Sequence, residues 1–349
     1  MWKGELPYIR HSRVPMNATI KDVAKAAGVS VATVSRVLNN SAAVSASATE
    51  QVNRAIKELG YSPNYLGRNL RRCETNVILA IIPSTEQTFY SEIIRGMQNA
   101  ASEQGYDILL STSNSTYSLE MRLLNMLFNR TADAAILLGT QLDAETLMDL
   151  NTKHYIALCC ERSEGADILT VTVDDEGGAY AAVDHLIKCG HTKIGMLSTQ
   201  VPAVSSLDRE KGYKRALHDN GIAFREKYIY KGGYEFFHGA NGFEYLMAIP
   251  DPPTAIFCVS DILAASVVKK ALSEGYTVGE DISVCGFDNI LMSGMYTPGI
   301  TTIEQPCYEI GRTVVEELIS NISNETKSNK KIALPYKLIE RETVKNMKK

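Results

Sequence analysis

Residues 19–39 read TIKDVAKAAGVSVATVSRVLN, and this stretch predicts two short helices joined by a tight turn. Thr19 is placed to cap the first helix, with the carboxylate of Asp22 completing a capping box. Ser30 is placed to cap the second helix. Apolar residues recur at helical spacing on one side of each helix, and a third helix over about 46–59 would close a small core around them. The stretch therefore predicts a helix-turn-helix unit.

The second helix would present an outward face of small and hydroxylic residues with a single arginine. Such a face can approach the edges of DNA bases closely, and an arginine fork can read guanine. The alternative is a small three-helix bundle with no role in DNA binding. We predict that the DNA contacts of this unit are Thr19, Ser30, Val31, Ala32, Thr33, Ser35, Arg36 and Asn39.

The segment YSPNYLGRNLRR, at 61–72, follows the third helix. Pro63 and Asn64 break the chain there, and residues 65–72 could form a short helix. So short a helix is unstable in isolation, and we therefore expect it to form only on DNA. The alternative is a solvated basic linker.

The helix-turn-helix motif, followed at this spacing by Y-x-P-N-x-x-x-x-x-L, resembles the lactose-repressor (LacI/GalR) family of bacterial transcription regulators. The resemblance runs from about Met16 to Thr343. It implies a repressor that binds a palindromic double-stranded operator as a homodimer and is switched by a small molecule. It also implies that residues 65–72 are a hinge helix in the minor groove, with Leu70 as a wedge between base pairs. The other DNA contacts implied in this segment are Asn64, Arg68 and Arg71.

The charge distribution supports a DNA-binding head. Residues 17–75 carry eight Lys/Arg against four Asp/Glu, whereas the whole chain has a formal charge of −4, so the body is acidic. We assign 17–62 to the helix-turn-helix domain and 63–75 to the hinge helix and linker. Residues 1–16 are expected to be a disordered extension, which a misassigned start site could explain; a basic arm that touches phosphate is the alternative.

Composition narrows the class of protein. A chain of 349 residues with 45% hydrophobic and 22% charged residues is typical of a soluble globular protein with more than one domain. The seven cysteines are scattered without a C-x-x-C, which predicts reduced thiols in a cytoplasm, no disulfide framework and no metal site. No apolar run reaches the length of a membrane span, so no membrane partner is predicted. No cofactor is predicted either.

From residue 76 onward, short apolar runs alternate with amphipathic helix patterns in two successive series. Such series predict parallel sheets covered by helices on both faces, with a ligand cleft at the carboxyl ends of the strands. The predicted fold is therefore α/β: an all-α helix-turn-helix head and two doubly wound parallel-sheet lobes, like those of periplasmic sugar-binding proteins. The family resemblance implies that the chain crosses between the lobes and returns to lobe 2 in KLIERET, the last strand. The bounds that follow are 76–343 for the effector-binding domain, about 76–174 and 304–334 for lobe 1, about 175–303 and 335–343 for lobe 2, and 344–349 for a tail.

Two charged residues are candidate effector contacts. Arg209 opens the pattern R-x-x-G-Y, which carries the effector arginine of the family. Asp288 follows a predicted strand, where the family places a carboxylate that faces the cleft. Together they could make charge-assisted bonds with adjacent hydroxyls. On their own residue types, Arg209 could equally be a surface ion-pair partner and Asp288 a turn former.

Four further candidates are weaker. Phe89 and Tyr90 are predicted in the loop after the first strand, and Tyr234 in another loop at the edge of the cleft; all three could instead be core residues. Asp261 is predicted to N-cap the following helix, with effector binding as the minority alternative. The stretch before Arg209 is apolar where the purine-binding branch has a basic contact, which favours a sugar or sugar derivative over a purine.

An enzyme and a secreted sugar-binding protein are the competing classes. The chain contains neither G-x-G-x-x-G nor G-x-x-x-x-G-K-[ST], and no nucleophile–base arrangement is visible, which argues against catalysis. The DNA-binding head and the missing signal peptide argue against a secreted protein. The basic tail has no leucine heptad, so a dimer is expected and a tetramer is not.

Replacing Leu70 with Ala tests the predicted wedge. Side-chain insertion costs unstacking energy, which is recovered only where the central base step opens easily. Leu70→Ala should therefore weaken operator binding while leaving the salt-sensitive binding to random DNA nearly unchanged. Titration of both DNAs with the variant measures this. If operator affinity and the DNA bend were both unchanged, Leu70 would not act as a wedge.

Overall fold

The computed structural model describes residues 18–38, 44–61, 75–200 and 203–348. The predicted extension and hinge helix lie outside the described residues, as do the predicted DNA contacts Asn39, Asn64, Arg68, Leu70 and Arg71. The chain divides into two compact units, Met1–Glu74 and Thr75–Lys349.

The described part of the N-terminal unit forms three helices, α1 (Ile20–Ala27), α2 (Val31–Leu38) and α3 (Ala46–Leu59). The predicted capping box of α1 is confirmed. The backbone N–H of Thr19 donates to the Asp22 carboxylate over 2.8 Å, and the N–H of Asp22 donates to the Thr19 hydroxyl over 3.4 Å. One apolar core joins the three helices, with fully buried side chains at Val23, Val34 and Val52.

The second unit begins with alternating strands and helices, as the hydrophobic pattern predicts. These elements are β1 (Val77–Ile82), α4 (Phe89–Glu103), β2 (Asp107–Thr112), α5 (Tyr117–Phe128), β3 (Ala134–Leu137), α6 (Ala144–Lys153), β4 (Tyr155–Cys159) and β5 (Leu169–Val173).

A second series follows without a break. Its elements are α7 (Asp175–Lys188), β6 (Ile194–Thr199), α8 (Val204–Asp219), β7 (Ile229–Gly232), α9 (Phe236–Ala248), β8 (Ala255–Cys258), α10 (Asp261–Ser273), β9 (Ser283–Asp288) and β10 (Thr301–Glu304). Short 3₁₀ turns lie at Glu226–Tyr228 and Leu291–Gly294.

The last segment consists of α11 (Cys307–Ser323), β11 (Lys331–Leu334) and β12 (Lys337–Ile339). β11 joins the sheet of lobe 1, and β12 joins the sheet of lobe 2. The sheet of lobe 1 has the order β11-β5-β4-β3-β1-β2, and the sheet of lobe 2 has the order β12-β10-β9-β8-β6-β7. β12 runs antiparallel to β10, and the other strand pairs are parallel. Since the order reverses within each sheet, both lobes are doubly wound and a crevice opens at the carboxyl ends of their strands.

The predicted fold class is confirmed, but the sequence left several elements unassigned. The pattern did not identify α6, β5, β7, α9, β10, α11 and β11. The predicted KLIERET strand is shorter than expected, since only Lys337–Ile339 is paired. Glu304, predicted to open the return to lobe 1, is the last residue of β10 and belongs to lobe 2.

Helices cover both faces of each sheet, and the central strands are correspondingly apolar. β6 and β9 are buried along their whole length, which explains why they appear in the sequence as continuous hydrophobic runs. In the described ranges, no helix is long and apolar enough to cross a membrane. The same residues contain no cluster of three or more His, Cys, Asp or Glu side chains with the geometry of a metal site.

Candidate functional site

The candidate DNA-binding surface is the outer face of α2. Ser30 precedes the helix, and its hydroxyl accepts the N–H of Thr33 over 3.1 Å, so the predicted cap is present. Val31, Ala32 and Arg36 are exposed, whereas Val34 and Val37 are buried in the core. Thr33 and Ser35 are half-buried, and the exposed Thr19 donates its hydroxyl to Asp22. Val31, Ala32 and Arg36 are therefore the exposed predicted residues of α2, while Thr19 caps α1.

The second candidate site is built on the pattern R-x-x-G-Y of α8. Gly212 faces α7 so closely that an added Cβ would lie 2.2 Å from the backbone oxygen of Glu176. Tyr213 is fully buried and donates its hydroxyl to the backbone oxygen of Ile194, on β6, over 2.8 Å. Glycine therefore lets α7 and α8 approach, tyrosine fixes α8 to the sheet, and Arg209 is held against the start of α7.

Arg209 is buried, and each nitrogen of its guanidinium has an acceptor. Its Nε donates to Asp175 Oδ1 over 2.8 Å, and Nη2 lies 2.7 Å from the same oxygen. Nη1 donates to the backbone oxygen of Val259 over 2.5 Å and lies 3.5 Å from Asp288 Oδ1. The guanidinium carbon stands 3.7 Å from the centre of the Phe287 ring, a cation–π contact. Burial lowers the pKa of Arg209, but Asp175 and Asp288 outweigh it and raise the pKa further above its ordinary value.

Asp288 lies at the last position of β9 with φ of 114°, a left-handed conformation that is rare outside glycine. The side-chain amide of Gln305 donates to its carboxylate over 2.8 Å. Burial raises the pKa of Asp288 above its ordinary value, although the positive charge of Arg209 acts in the opposite direction. Arg209 and Asp288 lie close together, as the sequence predicts. Arg209 also pairs with a second carboxylate, Asp175, which the sequence analysis did not identify.

The predicted aromatic residues lie around these charges. Tyr90 belongs to lobe 1, and burial raises the pKa of its hydroxyl, with the negative charges of nearby groups, among them Tyr234 and Asp288 of lobe 2, adding to the shift. Phe89 packs edge-on against Tyr90, with ring centres 5.4 Å apart. The prediction of a loop is wrong for these two residues, because they form the first turn of α4. Tyr234 does lie in a loop, between β7 and α9, and its hydroxyl bonds to that of Ser206.

Asp261 has a different role from the one predicted. The cap of α10 is Ser260, whose hydroxyl accepts the N–H of Leu263 over 3.4 Å. The carboxylate of Asp261 is fully buried and accepts bonds within lobe 2: from the backbone N–H of Ile290 over 3.0 Å, and from the hydroxyls of Ser293 and Thr302. The capping prediction is therefore wrong, because the carboxylate points back into the lobe and anchors the segment that follows Asp288.

A small polar cavity lies beside Asp175 on the side of the cleft where lobe 1 meets α8. Its volume is about 20 Å³, and its lining includes Glu161, Arg162 and Asp208. This volume suits about one water molecule and excludes a monosaccharide. Arg162 and Asp208 were not identified from the sequence, and neither residue type nor local pattern marks them.

Comparisons with known proteins agree with this architecture. Residues 19–64 match the model of bacterial regulatory proteins of the lacI family, and residues 183–344 match a periplasmic binding protein-like domain. Catabolite control protein A of Priestia megaterium is 35% identical over 332 residues, which are 95% of this chain and 100% of that protein. The alignment spans the head and both lobes, so the two proteins are similar along their whole length.

Two solved structures are similar over the same range. A lac repressor dimer bound to operator and the anti-inducer ONPF has a TM-score of 0.85 and 27% identity, covering 93% of this chain and 98% of that one. A complex of the transcriptional regulator CelR with cellobiose has a TM-score of 0.70 and 29% identity, covering 93% and 99%.

Replacing Gly212 with Ala tests whether the α7–α8 contact supports this site. Alanine usually stabilises a helix relative to glycine, but here its Cβ would meet backbone atoms that cannot move aside. We expect overpacking to destabilise the second unit by about 1–3 kcal/mol. Urea unfolding measures the change, with His218→Ala, at an exposed position of the same helix, as the control. Equal stability of the two variants would contradict the close contact.

Proposed function

The chain belongs to the LacI family of DNA-binding transcription regulators, and from this we propose that it is a repressor that binds a palindromic operator as a homodimer. We further propose that a sugar-like effector, bound between the two lobes, switches its affinity for DNA. The observation that carries the proposal is the buried Arg209 held between Asp175 and Asp288 at the carboxyl ends of the lobe 2 strands. Relatives of this family are regulators and not enzymes, so we propose no catalytic activity.

Readout of DNA is assigned to α2. Val31 and Ala32 stand exposed at its start, where a recognition helix meets base edges, and they would select bases by shape and apolar contact. Arg36 is exposed one turn later and would read guanine through its fork. Because such a protein acts on chromosomal DNA, we propose a cytoplasmic location.

A dimer is supported by apolar side chains exposed on lobe 2. The turn after Asp288 leaves Leu291 79%, Met292 43% and Met295 70% exposed. Large apolar side chains grouped on one surface are typical of a protein–protein interface. We propose that a second copy of the chain covers them, as a two-fold operator requires, and the similar lac repressor was solved as a dimer.

The chemistry of the cleft favours a ligand that is rich in hydrogen-bond donors. Every nitrogen of the Arg209 guanidinium already has an acceptor, and two carboxylates stand beside it, so the site disfavours an anionic ligand. Asp175 and Asp288 outnumber that single cation and can accept bonds from hydroxyl groups. Tyr90 and Tyr234 supply rings at the same cleft. A neutral sugar fits these properties, and the similar regulator CelR was solved with cellobiose.

Lobe 1 provides the mechanical link to the head. The backbone N–H groups of Thr75 and Asn76 donate to the Asp133 carboxylate over 2.7–3.0 Å, which ties the start of the second unit to the loop before β3. A change in the angle between the lobes would therefore be transmitted to the proposed hinge helix, and through it to the spacing of the two heads of the dimer.

Replacing Arg36 with Ala tests the reading helix. Loss of a bidentate base contact should cost about 1–3 kcal/mol per half-site and relax the sequence preference. The measurement is titration of a palindromic site, selected in vitro from random DNA, and of unselected DNA. Arg54→Ala, which removes another exposed arginine of the same unit, is the control. If Arg36→Ala weakened binding to both DNAs equally, the base-reading role would be wrong.

A thermal-shift screen of the full chain tests the effector class. We expect a neutral sugar among glucose, ribose and cellobiose to raise the melting temperature, and glucose 6-phosphate to leave it unchanged, because the phosphate would compete with Asp175 and Asp288 for Arg209. A ligand at 100 times its Kd stabilises by about 2.7 kcal/mol, which such a scan resolves easily. Stabilisation by the phosphate alone would overturn the donor-rich model.

The variant Asp288→Asn then locates the bound sugar. It should lose the thermal shift and the response of operator binding, while ligand-free operator affinity stays near that of the parent. Asp184→Asn, which removes a carboxylate of α7 that pairs with Lys188 on the same helix, is the matched control. If Asp288→Asn still bound and responded to the sugar normally, the pocket would lie elsewhere.

A further inference from the structure

One ion pair joins the two lobes at a point away from the strands where the chain crosses between them. Arg162 follows β4 in lobe 1, and Asp208 lies in α8 of lobe 2. Arg162 Nη2 lies 2.9 Å from Oδ1 and 2.7 Å from Oδ2 of Asp208, and Nε donates to Oδ2 over 3.1 Å. This is the bidentate fork geometry that makes arginine–carboxylate pairs strong and directional.

The two partners differ in their surroundings. The side chain of Asp208 is only 12% exposed, whereas that of Arg162 is 43% exposed. Lys211, one turn along α8, also donates to Asp208 over 2.9 Å, and Glu164 lies 3.4 Å from Arg162. The hydrogen bonds and charge of Asp208 raise the pKa of Arg162 above its ordinary value. The carboxylate is thus a fixed part of lobe 2, and the arginine reaches it from a surface loop of lobe 1.

The position of the pair relates it to the effector site. Asp208 immediately precedes Arg209, so any shift of α8 that accommodates a ligand moves both residues. Arg162, Asp208 and Asp175 line the same cavity of about 20 Å³, which is too small for a sugar. This cavity would have to widen before it could hold a molecule of that size, and moving Arg162 away from Asp208 breaks the fork.

We propose that Arg162 and Asp208 form a latch that stabilises the lobe arrangement in which they meet, and that the lobes can separate on this side only when the latch breaks. The stabilising role stands on the ion pair alone. Its role in regulation rests on the proposed function. A latch that favours one lobe arrangement sets how much more tightly a ligand must bind the other arrangement to shift the equilibrium. Since Arg162 is partly exposed, the latch should also weaken as ionic strength rises.

Hydrogen exchange of the full chain, without ligand and without DNA, tests the latch. The peptides to follow cover the cavity lining at 160–175 and 203–210. Arg162→Ala and Asp208→Asn should each speed exchange there by about twofold or more, because opening exposes backbone that the closed lobes protect. The double variant should exchange no faster than the single ones, since both changes remove the same contact. High salt should have the same effect on the parent and little effect on the variants.

Arg215→Ala is the matched control, because Arg215 is similarly exposed and pairs with Glu176 inside lobe 2. Peptides from the buried strand β6 report whether a variant has lost its fold; Arg162 lies on the surface, so its variant remains informative if Asp208→Asn is destabilised. Unchanged exchange in Arg162→Ala, additive effects in the double variant, or an equal effect of Arg215→Ala would each overturn the latch. None of these outcomes depends on the effector or on the operator, so a failure of the latch is distinct from a failure of the proposed function.

Discussion

The close contact of α7 with α8 at Gly212 is the constraint on which the proposed effector site depends. Any side chain larger than hydrogen at this position would meet the backbone of Glu176. Because the helices approach so closely, Arg209, one turn earlier on α8, reaches Asp175 at the start of α7. Tyr213 adds the second restraint by bonding α8 to β6. The three specified residues of R-x-x-G-Y, Arg209, Gly212 and Tyr213, therefore act together to hold a guanidinium at the cleft.

A buried arginine between two carboxylates is a costly arrangement, because each ion loses its hydration. The cost is offset by fixed hydrogen bonds and by the Phe287 ring beneath the guanidinium. The left-handed backbone at Asp288 is a further cost, and it persists because Gln305 holds the side chain while Asp261 holds the backbone of Ile290 just beyond it. Strain and buried charge at one point are better explained by ligand binding than by stability.

The features that the sequence predicted are the local ones. The capping box at Thr19, the cap at Ser30 and the alternation of strands with helices follow from short-range patterns, which survive folding because the tertiary structure agrees with them. Asp261 was misassigned because an aspartate beside a helix start has the pattern of a cap, while its true partners, Ser293 and Thr302, lie 32 and 41 residues away along the chain. The Arg162–Asp208 pair joins residues 46 positions apart, and no local pattern marks it.

The placement of the proposed effector contacts in the two lobes limits what could act as an effector. Arg209 and Asp288 both belong to lobe 2, whereas Asp133 fastens the incoming chain to lobe 1. A ligand shifts an equilibrium only by the difference between its affinities for the two states. A molecule that touched Arg209 and Asp288 alone would bind both lobe arrangements equally and would leave the proposed hinge unchanged. An effector that controls DNA binding must therefore also contact lobe 1. Tyr90, at the first turn of α4, is a side chain of lobe 1 near enough to Asp288 of lobe 2 to serve as that contact.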